Sequence, residues 1–174
     1  MASYRGGWGL LLCVLLVVQL SGCGWRLRGS VDLPASVETV YLVGVARYSE
    51  LGNAIYNAFA STNSTLVSSP AQAKATLHIL SDKAEKRILA TDSAGRASEY
   101  EVSYVLQFKL LDHEGKTLVE DQQVRAKREY RFDPSNVLAS DSNVARLQKE
   151  MVGFSVQQML RRINAGLRSK ASGG

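Results

Sequence analysis

The chain is predicted to fold as an α+β domain, with two helices packed on one face of a four-stranded, largely antiparallel sheet in the order β-α-β-β-β-α. Three observations predict it. A β-rich run at residues 38–45 gives way to a segment whose apolar residues recur at helical spacing. Residues 75–132 then hold three long segments separated by short turns rich in Asp and Gly. A last segment places apolar residues three and four positions apart.

In the run Glu38 to Val45 (ETVYLVGV), Val40 and Leu42 share one face, while Tyr41, Val43 and Val45 share the other. Apolar residues on both faces suit a strand covered on both sides. Ser49 is an N-cap residue type, and Leu51, Ile55, Ala58 and Phe59 form one stripe of a helix reaching about Ser61. Thr62 to Ala73 is rich in small polar residues and reads as a loop holding at most a short strand around Leu66. Asn63-Ser64-Thr65 matches a glycosylation sequon, a chance match if the chain is bacterial.

Ala75 to Leu89 carries Leu77, Ile79, Ile88 and Leu89 around the charged centre Asp82 to Arg87, as in a strand solvated on one face. Thr91 to Gly95 is a turn. Glu99 to Leu111 alternates most clearly, with Tyr100, Val102, Tyr104, Leu106, Phe108 and Leu110 on one face. Asp112-His113-Glu114-Gly115-Lys116 closes a hairpin, and Thr117 to Phe132 returns as a long strand. After Asp133-Pro134, Asp141 or Ser142 caps a final helix. Val144, Leu147, Met151 and Phe154 begin its core stripe, and Val152, Val156, Met159, Leu160 and Ile163 carry it toward Gly166. Met151 and Phe154 are expected to be buried, and residues 169–174 to form a flexible tail.

The N-terminus has a different character. Arg5 precedes Leu10 to Val18, an unbroken apolar run of nine residues. Spanning a bilayer takes about 20 apolar residues, so the run is a signal-peptide core. Leu20-Ser21-Gly22-Cys23 fits the bacterial lipobox, in which a thiol at the cleavage point receives diacylglycerol before the cut. This predicts a cleaved signal peptide at residues 1–22 and a single domain at 23–168 tethered through acyl chains on Cys23. Three chains hold firmly where one does not. Gly24 stands where Asp typically retains a lipoprotein in the inner membrane, which favours the periplasmic side of the outer membrane. Cleavage removes Cys13 and lipid consumes Cys23, so no thiol is left for a disulfide, a metal or catalysis. Only Arg5 is lost from the charge inventory, which lowers the formal charge from +5 to +4.

The residues that would carry enzyme chemistry are missing. Two histidines, His78 and His113, have no metal-ligand spacing, and neither a Gly-x-Ser-x-Gly elbow nor a phosphate-binding glycine loop occurs. A binding or assembly role without a cofactor is expected. Positive charge gathers near loops instead: Lys83, Lys86, Arg87 and Arg96 around one strand-turn-strand unit, and Arg125, Lys127, Arg128 and Arg131 along the last strand. If these strands form a meander, both sets share one end of the sheet, where arginines suit phosphate. The competing reading is an alternating-sign edge strand that resists aggregation. Nucleic acid fits poorly, since no aromatic stacking stripe accompanies the charge.

Cys23-Gly24-Trp25-Arg26-Leu27-Arg28, the Pro34 region, Ala97-Ser98-Glu99-Tyr100, Arg131-Phe132-Asp133-Pro134, and Asp141 leading to Lys149-Glu150-Met151 together resemble the LptE (rare lipoprotein B) family, over nearly the whole mature chain. The resemblance implies two helices on a four-stranded sheet. It also implies a plug inside the LptD β-barrel that supports the barrel's assembly and binds lipopolysaccharide during insertion into the outer leaflet, with no reaction catalysed. A scaffold lipoprotein bound to peptidoglycan is the alternative. The family's lipopolysaccharide-binding basic residues fall where Ser93 and Ser140 stand in this sequence. Arg96, Lys127, Arg128 and Arg131 therefore become the candidates by proximity rather than by alignment.

Overall fold

The computed structural model describes residues 31–132 and 137–172. The expected signal peptide, Cys23 with its neighbours through Arg28, and Asp133-Pro134 lie outside them.

The elements are β1 (Thr39–Val43), α1 (Glu50–Phe59), β2 (Thr65–Val67), β3 (Ala75–Thr91), β4 (Ala97–Asp112), β5 (Thr117–Arg131) and α2 (Val137–Ser172). The sheet has five strands in the order β2-β1-β3-β4-β5, and it is mixed. This corrects the four-stranded, largely antiparallel expectation. The added strand is the short segment around Leu66, which pairs parallel with β1 from Thr39↔Thr65 to Tyr41↔Val67. β1 is also parallel to β3, from Val40↔Ala75 to Val43↔His78. Parallel neighbours need a crossover connection, and α1 supplies it between β1 and β2. From β3 onward the sheet is the expected antiparallel meander.

Local chemistry accounts for each element. Ser49 caps α1 by accepting a hydrogen bond from the Gly52 N–H at 3.0 Å, and Leu51, Ile55, Ala58 and Phe59 are all buried. Asn63 clamps Leu33, taking its N–H and donating to its carbonyl, both at 2.8 Å, so the sequon asparagine fastens the chain ahead of β1. The two hairpin turns share one pattern, Asp92 to Arg96 and Asp112 to Lys116. In each, the Asp Oδ1 accepts from the backbone N–H two and four residues on, at 2.8 to 2.9 Å, and the glycine adopts positive φ. Gly44, at φ +89°, is required twice over, because a Cβ there would lie 2.2 Å from the Ile79 carbonyl oxygen.

Both helices contribute to one core with Val40, Leu77, Ile79, Val102, Leu106, Phe108 and Leu110 of the sheet. On α2 the buried line runs through Met151, Val152, Ser155, Val156, Met159, Leu160, Ile163 and Leu167. Phe154, expected in that stripe, is 44% exposed. At about 100° per residue, Phe154 falls roughly 160° from the centre of the buried line. Steps of 3 and 4 from Val144 lead to it only because the stripe drifts around the helix.

α2 also extends beyond its expected limits at both ends. It begins at Val137, so positions 141 and 142 are interior rather than capping, and it continues to Ser172 through the expected tail. Its 36 residues span about 54 Å, close to the roughly 50 Å of the 15-residue β5. Arg162 donates to the Gln123 carbonyl at 2.7 Å and Lys170 to the Thr117 carbonyl at 2.6 Å, which holds the helix to the edge strand along its C-terminal half. Gly166 does not end the helix; it admits Val119, whose Cγ2 would lie 3.2 Å from an added Cβ.

Candidate functional site

β3, β4 and β5 outrun β1, and their far halves form a three-stranded arm ending at the Asp92–Arg96 turn. The register decides which face each charged residue occupies, because directly opposed residues share a face. Arg128 opposes Val102, and Tyr130 opposes Tyr100, so both lie on the face that carries the core. Lys127 opposes Ser103 and Arg131 opposes Glu99, which puts them on the opposite face with Arg87, the partner of Glu101. The four candidates from the sequence are therefore at one end of the sheet but do not form one surface.

On the open face every candidate cation meets a carboxylate. Arg131 Nε lies 2.9 Å from Glu99, while Arg87 Nε and Lys127 Nζ contact the two oxygens of Glu101 at 2.9 and 3.3 Å. In the turn, Arg96 Nε reaches Asp92 at 2.9 Å. Exposed pairs of this kind contribute only about 0 to 1 kcal/mol each, so an incoming phosphate can replace their carboxylates at little cost. Glu101 differs because its side chain is only 9% exposed. The hydrogen bond from Arg87, with help from Lys127, holds its carboxyl below the ordinary 4.5 against the opposing effect of burial. A lowered carboxylate pKa contributes stability that is fully present above the unfolded value and is lost as pH falls through the folded one. We therefore expect the denaturation midpoint to fall less between pH 6 and pH 3 in Glu101→Gln than in the parent chain. Equal slopes would mean that this carboxylate is not coupled to folding.

The core-side face of the arm holds a cluster that sequence reasoning missed. Tyr100 stacks on Tyr130 with centroids 5.5 Å apart and meets Phe132 edge-on at 5.9 Å, while Lys86 Nζ sits 4.0 Å from the Tyr100 ring centre. The β4–β5 register could have revealed it, since it brings Tyr100 and Tyr130 face to face. Arg128 adjoins the cluster and donates to the Lys127 carbonyl at 2.8 Å. Of the two family positions, Ser93 is exposed in the turn, whereas Ser140 is 7% exposed within α2. In this chain, then, only the turn position is exposed.

A cleft of about 720 Å³ lies between α1 and α2, lined by Ala54, Ala58, Val152 and Val156 with Glu50 and Lys149 at its rim. None of the sequence candidates lines it. Among the described residues no group of three or more His, Cys, Asp or Glu could hold a metal ion, and no helix is long and apolar enough to cross a membrane.

A family model described as lipopolysaccharide-assembly, LptE, matches residues 37–163. An LPS-assembly lipoprotein LptE from Yersinia enterocolitica is 25% identical over 157 residues, covering 88% of this chain and 74% of the relative. One from Photorhabdus laumondii is 21% identical over 153 residues, covering 88% and 83%. Among solved structures, the solution NMR structure of a lipoprotein B from Nitrosomonas europaea superposes with a TM-score of 0.68 at 30% identity, covering 87% of this chain and 94% of that one. A rare lipoprotein B from Shewanella oneidensis superposes at 0.56 with 25% identity, covering 77% and 94%.

Proposed function

Because this chain belongs to the LptE family of lipopolysaccharide-assembly lipoproteins, we propose that it is tethered through Cys23 to the periplasmic side of the outer membrane. There it plugs and helps assemble the LptD β-barrel, and it binds lipopolysaccharide as that lipid passes to the outer leaflet. Its role is binding and assembly, with no reaction catalysed and no cofactor beyond the acyl chains on Cys23.

The observation that carries the lipid-binding part is the distribution of charge on the arm. Arg96, Lys127 and Arg131 project from its open face and turn, 48 to 88% exposed at the side chain, and their only charged partners among the described residues are carboxylates. Phosphates on a glycolipid headgroup can take over those contacts with charge-assisted, often bidentate hydrogen bonds. Arg128 lies on the other face and would reach the same headgroup only around the strand edge.

Binding of purified lipopolysaccharide to the detergent-solubilised chain tests this. Converting Arg96, Arg128 and Arg131 together to Glu is expected to lower affinity by about 100-fold or more, since each reversal replaces an attraction with a repulsion, and the parent chain should bind more weakly as salt rises. Binding that survives both the reversal and high salt would move recognition to an apolar surface. Co-purification of a β-barrel protein from solubilised outer membranes is the expected result for the plug. Its absence, with lipopolysaccharide binding intact, would reject the plug and leave the lipid contact standing.

A further inference from the structure

We propose that the free edge of β3 is a self-recognition surface, through which two copies of this chain pair as antiparallel strands about a twofold axis at Ala84.

The edge is open because β1 pairs with β3 only from Ala75 to His78, whereas β3 runs on to Thr91. Past Ile79 it has β4 on one side and, among the described residues, no strand on the other. Residues 82–89 are exposed. Three exposed large apolar side chains sit on this segment, Leu80 at 44%, Ile88 at 58% and Leu89 at 39%. Register shifts against β4 at Leu80 and Leu89 frame a regular stretch from Ser81 to Ile88. A strand with unpaired N–H and C=O groups and apolar residues at its ends is a template for another strand.

The sequence of that stretch indicates which strand fits. With Ala84 opposite its own copy in antiparallel register, Lys83 meets Glu85, Asp82 meets Lys86, Ser81 meets Arg87 and Leu80 meets Ile88. Symmetry makes each pair occur twice, as an isologous contact requires. The neighbouring registers lose this match. Centring on Glu85 opposes two Glu85 side chains and sets Lys83 against Arg87; centring on Lys83 opposes two Lys83 side chains; centring between Ala84 and Glu85 sets Lys83 against Lys86. Edge charges ordinarily keep strands apart. Here their order repels an arbitrary strand and accepts its own reverse, because like charges directly opposed destabilise a pair and opposite charges favour it. The sheet edge is thus matched to a second copy rather than to strands in general. Its twelve or so edge residues make a small contact, so pairing should depend on concentration and yield to a larger interface.

Cross-linking and charge swaps in the full chain purified in detergent test the proposal. Facing residues in antiparallel strands have Cα atoms about 4.5 to 5.5 Å apart, within disulfide range. Ala84→Cys should therefore form a disulfide-linked dimer under mild oxidation, while Asp121→Cys on exposed β5 should not. In sedimentation, Lys83→Glu or Glu85→Lys alone is expected to weaken dimerisation by about tenfold, because two cross-strand pairs turn repulsive at once, and the double swap should restore it. The proposal is overturned if Ala84→Cys stays monomeric, if it cross-links to a different protein instead, or if the double swap fails to recover what the single changes lose.

Discussion

Truncating Phe108 to Ala is expected to cost about 3 to 5 kcal/mol, a large part of the 5 to 15 kcal/mol by which a domain of this size is ordinarily stable. Phe108 is fully buried on β4, opposite Ile79 on β3 and within the cluster that both helices join. The loss combines the transfer energy of the ring with the cavity left behind, and close packing on both sides limits collapse. Phe154→Ala on α2 is the paired control. Its side chain is 44% exposed and lies away from the buried line, so its loss should be under about 1 kcal/mol. Urea titrations of both variants measure the difference. Similar losses would mean that α2 is rotated on the sheet and that Phe154 belongs to the core.

Replacing Cys23 by Ala should abolish lipid incorporation. The lipobox Leu20-Ser21-Gly22-Cys23 has one thiol, and the only other cysteine, Cys13, lies inside the apolar run ahead of the cleavage point. Labelled fatty acid supplied to growing cells should enter the parent chain and leave the variant unlabelled. The folded domain should survive the change, because its core runs from Leu33 to Leu167 and includes no cysteine. A variant that still takes up label would remove the lipobox assignment, and with it the proposed tether to the outer membrane.

Much of the architecture was legible in the sequence because it depends on local periodicity. Val102, Tyr104, Leu106, Phe108 and Leu110 alternate on β4 and are buried as that alternation implies. Ser49 announces α1 because a cap acts within one turn, and the paired Asp and Gly turns announce the meander because Asx bonds and positive φ are also short-range. Family membership was legible too, through short motifs spread in order along the chain. The fifth strand was only hinted at: three residues hold too little alternation to declare themselves, and β2 exists because β1 offers it a parallel edge.

The candidate site was legible as composition but not as geometry. Sequence placed Arg96, Lys127, Arg128 and Arg131 at one end of the sheet, since a hairpin around Gly115 brings those positions together. Alternation along β5 sets Arg128 on one face and Lys127 and Arg131 on the other, but it could not say which face carries the core or hand each cation a carboxylate, because both depend on the pairing with β4. The sequence by itself determined the element types, the meander, the capped first helix, the lipobox and the stock of charge, all of which are set within a few residues along the chain. Only the tertiary structure decided the parallel pairing, the length of α2, the exposure of Phe154, the carboxylate partner of each basic residue on the open face and the open edge of β3. Each of those depends on which distant segment lies alongside, and that is settled by packing across the sheet rather than by neighbours in sequence.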